Sequence, residues 1–96
     1  MNNTFTNSLC TVDTLVKTGG GKLHTLTFSC NDAAPTAGTI DVYDNTSAVA
    51  GTKIYSETFT TTAFRGYSVV LDCFVTRGIY VDFTTTADVN CTVTYS

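Results

Sequence analysis

Tyr67-Ser68-Val69-Val70-Leu71-Asp72-Cys73-Phe74, Gly78-Ile79-Tyr80-Val81-Asp82-Phe83 and Val89-Asn90-Cys91-Thr92-Val93-Thr94-Tyr95 decide the fold class of this chain. Apolar side chains recur at every second position in each run: Tyr67, Val69, Leu71 and Cys73; Ile79, Val81 and Phe83; Val89, Cys91, Val93 and Tyr95. A period of two is that of a strand with one buried and one wet face. Helical periodicity is absent along the whole chain, and β-branched and aromatic residues alternate almost throughout.

Working outward, Leu9 to Val16 reads as a first strand with Cys10, Val12 and Val16 on one parity. Gly19-Gly20-Gly21 supplies a turn, and Lys22 to Cys30 follows as the hairpin partner, with His24, Leu26, Phe28 and Cys30 on one face. The stretch from Asn31 to Gly38 holds the single proline and reads as a connection between sheets. Thr39 to Asp44 resumes alternation with Ile40 and Val42 inward, Asp44-Asn45-Thr46-Ser47 is a turn, and Thr52 to Thr60 has the mixed parity of an edge strand. Seven to eight short antiparallel strands without a covering helix predict an all-β, two-sheet β-sandwich, immunoglobulin-like or jelly-roll in type. Residues 1–8 are expected to form an N-terminal arm, either a disordered tail or a segment that orders on a neighbouring subunit, and residues 9–96 a single sandwich domain.

The chain is small, at 96 residues, and weakly charged: 14% against roughly 25% in typical soluble domains. Its polarity comes from hydroxyls, with threonine at 21 positions. A net charge of -3 and five scattered cations, Lys17, Lys22, Lys53, Arg65 and Arg77, argue against nucleic acid as a partner. No run approaches the ~20 apolar residues of a membrane span, and Met1-Asn2-Asn3-Thr4 lacks the cationic and apolar regions of a secretion signal, so neither a membrane nor export is expected.

Chemistry-bearing residues are few. His24 has no accompanying motif such as G-x-S-x-G or H-E-x-x-H and reads as a histidine at the rim of the core. Cys10, Cys30, Cys73 and Cys91 are spaced 20, 43 and 18 residues apart, without a C-x-x-C pair to seed a zinc site. All four fall on the apolar parity of their strands, as buried thiols or bridges; Cys10 with Cys91, or Cys30 with Cys73, pair only if their strands are neighbours. Synthesis without a signal favours the reduced state. Asp41, Asp44 and Asn45 lack the pattern of a calcium loop. The expectation is therefore no metal, no cofactor and no catalytic residues. Tyr43, Tyr55 and Tyr80 have outward parity and, with Phe5 of the arm, are the candidates for a protein interface; stacking on sugars is the other use of such tyrosines.

The order of features resembles that of small β-sandwich virion proteins of tailed bacteriophages. The likeness is carried by Gly19-Gly20-Gly21-Lys22-Leu23-His24-Thr25-Leu26-Thr27, Ile40-Asp41-Val42-Tyr43-Asp44-Asn45-Thr46-Ser47, Gly51-Thr52-Lys53-Ile54, Arg77-Gly78-Ile79-Tyr80-Val81 and Val89-Asn90-Cys91-Thr92-Val93-Thr94-Tyr95. It spans about Leu9 to Ser96. The resemblance implies a non-catalytic capsid decoration (cement) or head-fibre protein on the capsid exterior, made in the bacterial cytoplasm. Its partner would be the major capsid protein or another virion protein, and its assembly a homo-oligomer, with a trimer favoured. A carbohydrate- or receptor-binding module on the virion is the alternative. Four cysteines depart from the pattern of such proteins.

Overall fold

The computed structural model describes residues 5–30, 35–62, 64–86 and 88–96. Eight strands are formed: β1 (Thr6–Cys10), β2 (Thr14–Thr18), β3 (Gly21–Cys30), β4 (Gly38–Tyr43), β5 (Lys53–Phe59), β6 (Tyr67–Val75), β7 (Gly78–Thr84) and β8 (Val89–Tyr95). They make two antiparallel four-stranded sheets, ordered β1-β8-β3-β6 and β2-β7-β4-β5. β1 pairs with β8, β2 with β7, β3 with β6 and β4 with β5, so the first half of the chain pairs with the second half in reverse order. A ribbon nested in this way and rolled into two sheets is a jelly roll, and this decides between the two sandwich types. Leu23, Leu26, Phe28, Ile40 and Ile79 are fully buried between the sheets, together with Val42, Val81, Val89 and Val93. Burial of each contributes on the order of 1.5–3 kcal/mol relative to leaving it in water.

The N-terminal third departs from the sequence expectation. Leu9 to Val16 is two strands in different sheets, because the chain bends at Thr11-Val12-Asp13 and the Asp13 carboxylate accepts the Phe83 N–H at 2.6 Å. Val12 is consequently exposed instead of sharing a core face with Cys10. The Gly19-Gly20-Gly21 turn crosses between sheets; β3 pairs with β6 and β8, not with its predecessor. Gly19 sits at φ 81°, a conformation open to glycine at little cost. Thr6 to Ser8, expected in the arm, pair with Val93 to Tyr95 and belong to the sheet, while Met1 to Thr4 lie outside the described residues. The connection expected from Asn31 to Gly38 does join the two sheets, with Asn31 to Ala34 also outside the described residues.

A register shift between Leu23 and Thr25, opposite Asp72 at φ 46°, reverses the parity of β3. Leu23, Leu26 and Phe28 therefore all point inward, and His24 turns to the outer face, not to the core side where plain alternation placed it.

Candidate functional site

The outer face of the β2-β7-β4-β5 sheet gathers the chemically distinctive side chains. Because Ile40, Val42, Ile79 and Val81 point into the core, the alternate residues of β4 and β7 point out. Tyr43 lies opposite Tyr80, and Tyr80 opposite Leu15. One step along the strands, Asp41 lies opposite Asp82 and Ser56. Asp13, held by the Phe83 N–H, extends this line at the bend before β2. The next step is hydroxyl-bearing: Thr84, Thr39 and Thr58. An aromatic and apolar row thus lies beside a row of three carboxylates.

Like charges directly opposite one another destabilise a sheet. Burial, followed by the Asp13 charge and a hydrogen bond with Asp13, pushes the Asp82 carboxyl above the usual carboxylate range, and Asp41 adds to the effect. Burial and the charges of Asp13 and Asp82 also raise the Tyr80 hydroxyl. Among the described residues, Lys53 is brought against the row, its Nζ 3.6 Å from Asp41 Oδ2 and 5.9 Å from the Tyr43 ring centre. Asp41 is 9% exposed, and its Oδ1 is buried without a hydrogen-bond partner. The row is therefore short of positive charge and of donors. Around it stand Val12, Leu15 and Ile54, at 65%, 46% and 37% exposure. Beside Asp13 an open depression of about 400 Å³ is lined by Thr11, Val12, Asp13, Phe83 and Thr86, and the Thr86 hydroxyl is buried without a partner.

The four residues expected at an interface are placed differently from one another. Tyr80 is half-buried on this face. Tyr43 is on the same face but 8% exposed, covered in part by Lys53, and offers little free surface. Tyr55 points inward, because β5 alternates Tyr55, Glu57 and Phe59 toward the core; its ring stacks on Phe28 and its hydroxyl donates to Glu57 Oε1 at 2.6 Å. Phe5 lies by the other sheet, stacked on His24 at 4.3 Å, where His24 Nδ1 also hydrogen-bonds Asp72. The structure brings Tyr43 and Tyr80 together and leaves Phe5 and Tyr55 apart from them.

Parity alone missed Asp13, Asp82, Val12 and Leu15. A usable signal was present: Asp41-Val42-Tyr43 and Tyr80-Val81-Asp82 are the same triplet in opposite directions, and antiparallel pairing with Val42 opposite Val81 brings like to like.

Beside the His24, Asp72 and Lys22 group, the outer face of the other sheet carries hydroxyls and amides, with Thr27 hydrogen-bonded to Ser68 at 2.8 Å and Thr94 donating to Asn7 at 2.9 Å. Phe74, 81% exposed, and Val70 stand at its β6 edge. Asp44, considered above with Asp41 and Asn45, is engaged elsewhere: it accepts N–H groups from the β6–β7 turn. Among the described residues no group of three or more His, Cys, Asp or Glu is placed to hold a metal ion. No helix among the described residues is long and apolar enough to cross a membrane.

Comparison with protein-family models, with curated proteins and with solved structures returns no match for this chain.

Proposed function

We propose that this protein is a non-catalytic structural component of a bacteriophage particle, a capsid decoration protein that binds the major capsid protein with the outer face of the β2-β7-β4-β5 sheet. The observation that carries this reading is the carboxylate row of Asp13, Asp82 and Asp41, short of counter-charge and bordered by exposed Val12, Leu15 and Ile54. Such a face suits a partner surface that presents Lys or Arg among apolar groups. The apolar margin supplies the buried area, and the charges steer encounter and select the partner. A stable contact of this kind covers roughly 800 Å² per partner. Binding to the assembled shell but not to its disassembled subunits stabilises the shell by mass action. On the virion exterior, a homotrimer would place three such faces around a threefold position of the lattice.

The test uses capsids purified without the protein. Added protein is expected to co-sediment with them and raise their melting temperature, and the association should weaken as salt rises. Leu15→Lys and Asp82→Lys should each abolish co-sedimentation while leaving the free protein folded. Capsids whose heat stability is unchanged by the protein, or binding that survives both substitutions, would overturn the reading.

A second reading, a carbohydrate-binding module, is favoured by one observation: the depression beside Asp13 has an aromatic wall in Phe83 and an unpartnered hydroxyl in Thr86. Glycan-array binding that is lost in Asp13→Ala, with no capsid binding, would select it.

A further inference from the structure

The four cysteines, left as alternatives by the sequence, are resolved by the strand register. Cys10 on β1 is the direct partner of Cys91 on β8. Both side chains point into the core and both residues are buried. Directly opposed residues of antiparallel strands have Cα atoms about 4.5–5.5 Å apart, inside the roughly 4.4–6.8 Å that a disulfide spans. Cys30 and Cys73 also lie on neighbouring strands, but Cys73 is opposite Leu23, seven residues from Cys30 along β3. At about 3.3 Å per residue that separation is roughly 23 Å, far beyond a disulfide.

We infer that Cys10 and Cys91 form a single cross-link site, which becomes a cross-strand disulfide when the protein meets a small oxidised disulfide such as oxidised glutathione. One protein thiolate attacks a sulfur of the small disulfide, giving a mixed disulfide and releasing one small thiol. The second protein thiolate then attacks the mixed disulfide at the protein sulfur and releases the other small thiol. The two electrons pass from the cysteine pair to the small disulfide, and the two protons of the protein thiols end on the departing thiols. Both sulfurs are closed to reagents in the docked state. β1, an edge strand paired with β8, must therefore be undocked when exchange occurs, and re-docking seals the bond. Residues 10 and 91 are 81 apart in sequence, so the bond closes almost the whole chain into one loop and fastens its first strand to its last. It lies in the core and leaves the carboxylate face unchanged, so it is independent of the capsid-binding reading.

Trypsin cleavage after Lys17, Lys22, Lys53, Arg65 and Arg77 puts each cysteine on its own fragment. The wild-type chain, refolded from urea with oxidised glutathione and digested without reduction, should join fragment 1–17 to fragment 78–96. A Cys30→Ser, Cys73→Ser variant treated in the same way should lose both titratable thiols and melt about 10–20 °C higher than its reduced form. The inference is overturned if fragment 1–17 joins the Cys30 or Cys73 fragment, if the refolded double variant keeps two titratable thiols in denaturant, or if its oxidised and reduced forms melt together.

Discussion

Asp44 offers the sharpest quantitative test of the fold. It directly follows β4, yet its carboxylate reaches across to the β6–β7 turn. Oδ1 accepts the N–H of Thr76 at 3.0 Å, of Arg77 at 2.9 Å and of Gly78 at 3.4 Å, while the Thr76 hydroxyl donates to Oδ2 at 3.3 Å. Hydrogen bonds to a charged acceptor contribute about 1.5–3 kcal/mol each when buried. Thr76 and Arg77 are exposed, so water replaces the lost acceptor at those two; Gly78 is buried, and its N–H would be stranded. Asp44→Ala should therefore cost about 2–3 kcal/mol in urea unfolding followed by tyrosine fluorescence, and lower Tm by roughly 10–20 °C. Burial alone would raise the Asp44 carboxyl, but the N–H groups of Arg77, Thr76 and Gly78 outweigh it and hold it below the usual range. A depressed carboxylate contributes stability above its unfolded pKa of about 3.9, and that contribution is lost as pH falls through the folded value. The gap between wild type and Asp44→Asn should thus be open at neutral pH and close in acid. A cost under about 0.5 kcal/mol for Asp44→Ala, or a gap undiminished near pH 2, would refute the reasoning.

Three further predictions follow from other parts of the molecule. Asp82→Asn should stabilise the free protein by about 0.5–1 kcal/mol at neutral pH by relieving cross-strand repulsion, and weaken capsid binding at the same time. Since the Asp82 carboxyl is raised, its contribution to stability is present in acid and is lost as pH rises through its folded value, so the mutant's advantage should shrink below about pH 4, as thermal melts across pH would show. Gly38→Ala should cost more than about 2 kcal/mol by the same urea assay, because a Cβ there would collide with the Thr84 carbonyl and lie 2.6 Å from the Thr86 N. Burial, the Glu57 charge and a hydrogen bond to Glu57 push the Tyr67 hydroxyl up to about 12, so spectrophotometric titration should find it among the last tyrosines to ionise, and Glu57→Gln should bring it down.

The strands themselves were legible because their evidence is local. Alternation in Ile79, Val81 and Phe83, or in Val89, Cys91 and Val93, is set by the pleat and needs no knowledge of neighbours. The same local rule failed at His24 and at Tyr55, which points inward, and at Tyr43 it gave the face but not the exposure. His24 is turned outward by a register shift against β6, which exists only once the two strands pair. Tyr43 has the outward parity expected, but Lys53 from β5 covers it. The carboxylate row was not read because its members come from the β1–β2 bend, β4 and β7, and only cross-strand register aligns them.

From sequence alone the chain determined its class: period-two alternation, a single proline and scarce charge leave two packed sheets as the way to bury its apolar residues. Tertiary structure decided which strands are neighbours, and with that the jelly-roll order, the opposition of Cys10 to Cys91 and the meeting of Asp41 with Asp82. The physical reason is one of range. Side-chain parity is a property of consecutive residues, whereas pairing in a nested ribbon joins residues up to 89 positions apart, such as Thr6 and Tyr95, through backbone hydrogen bonds that carry no residue-specific signal.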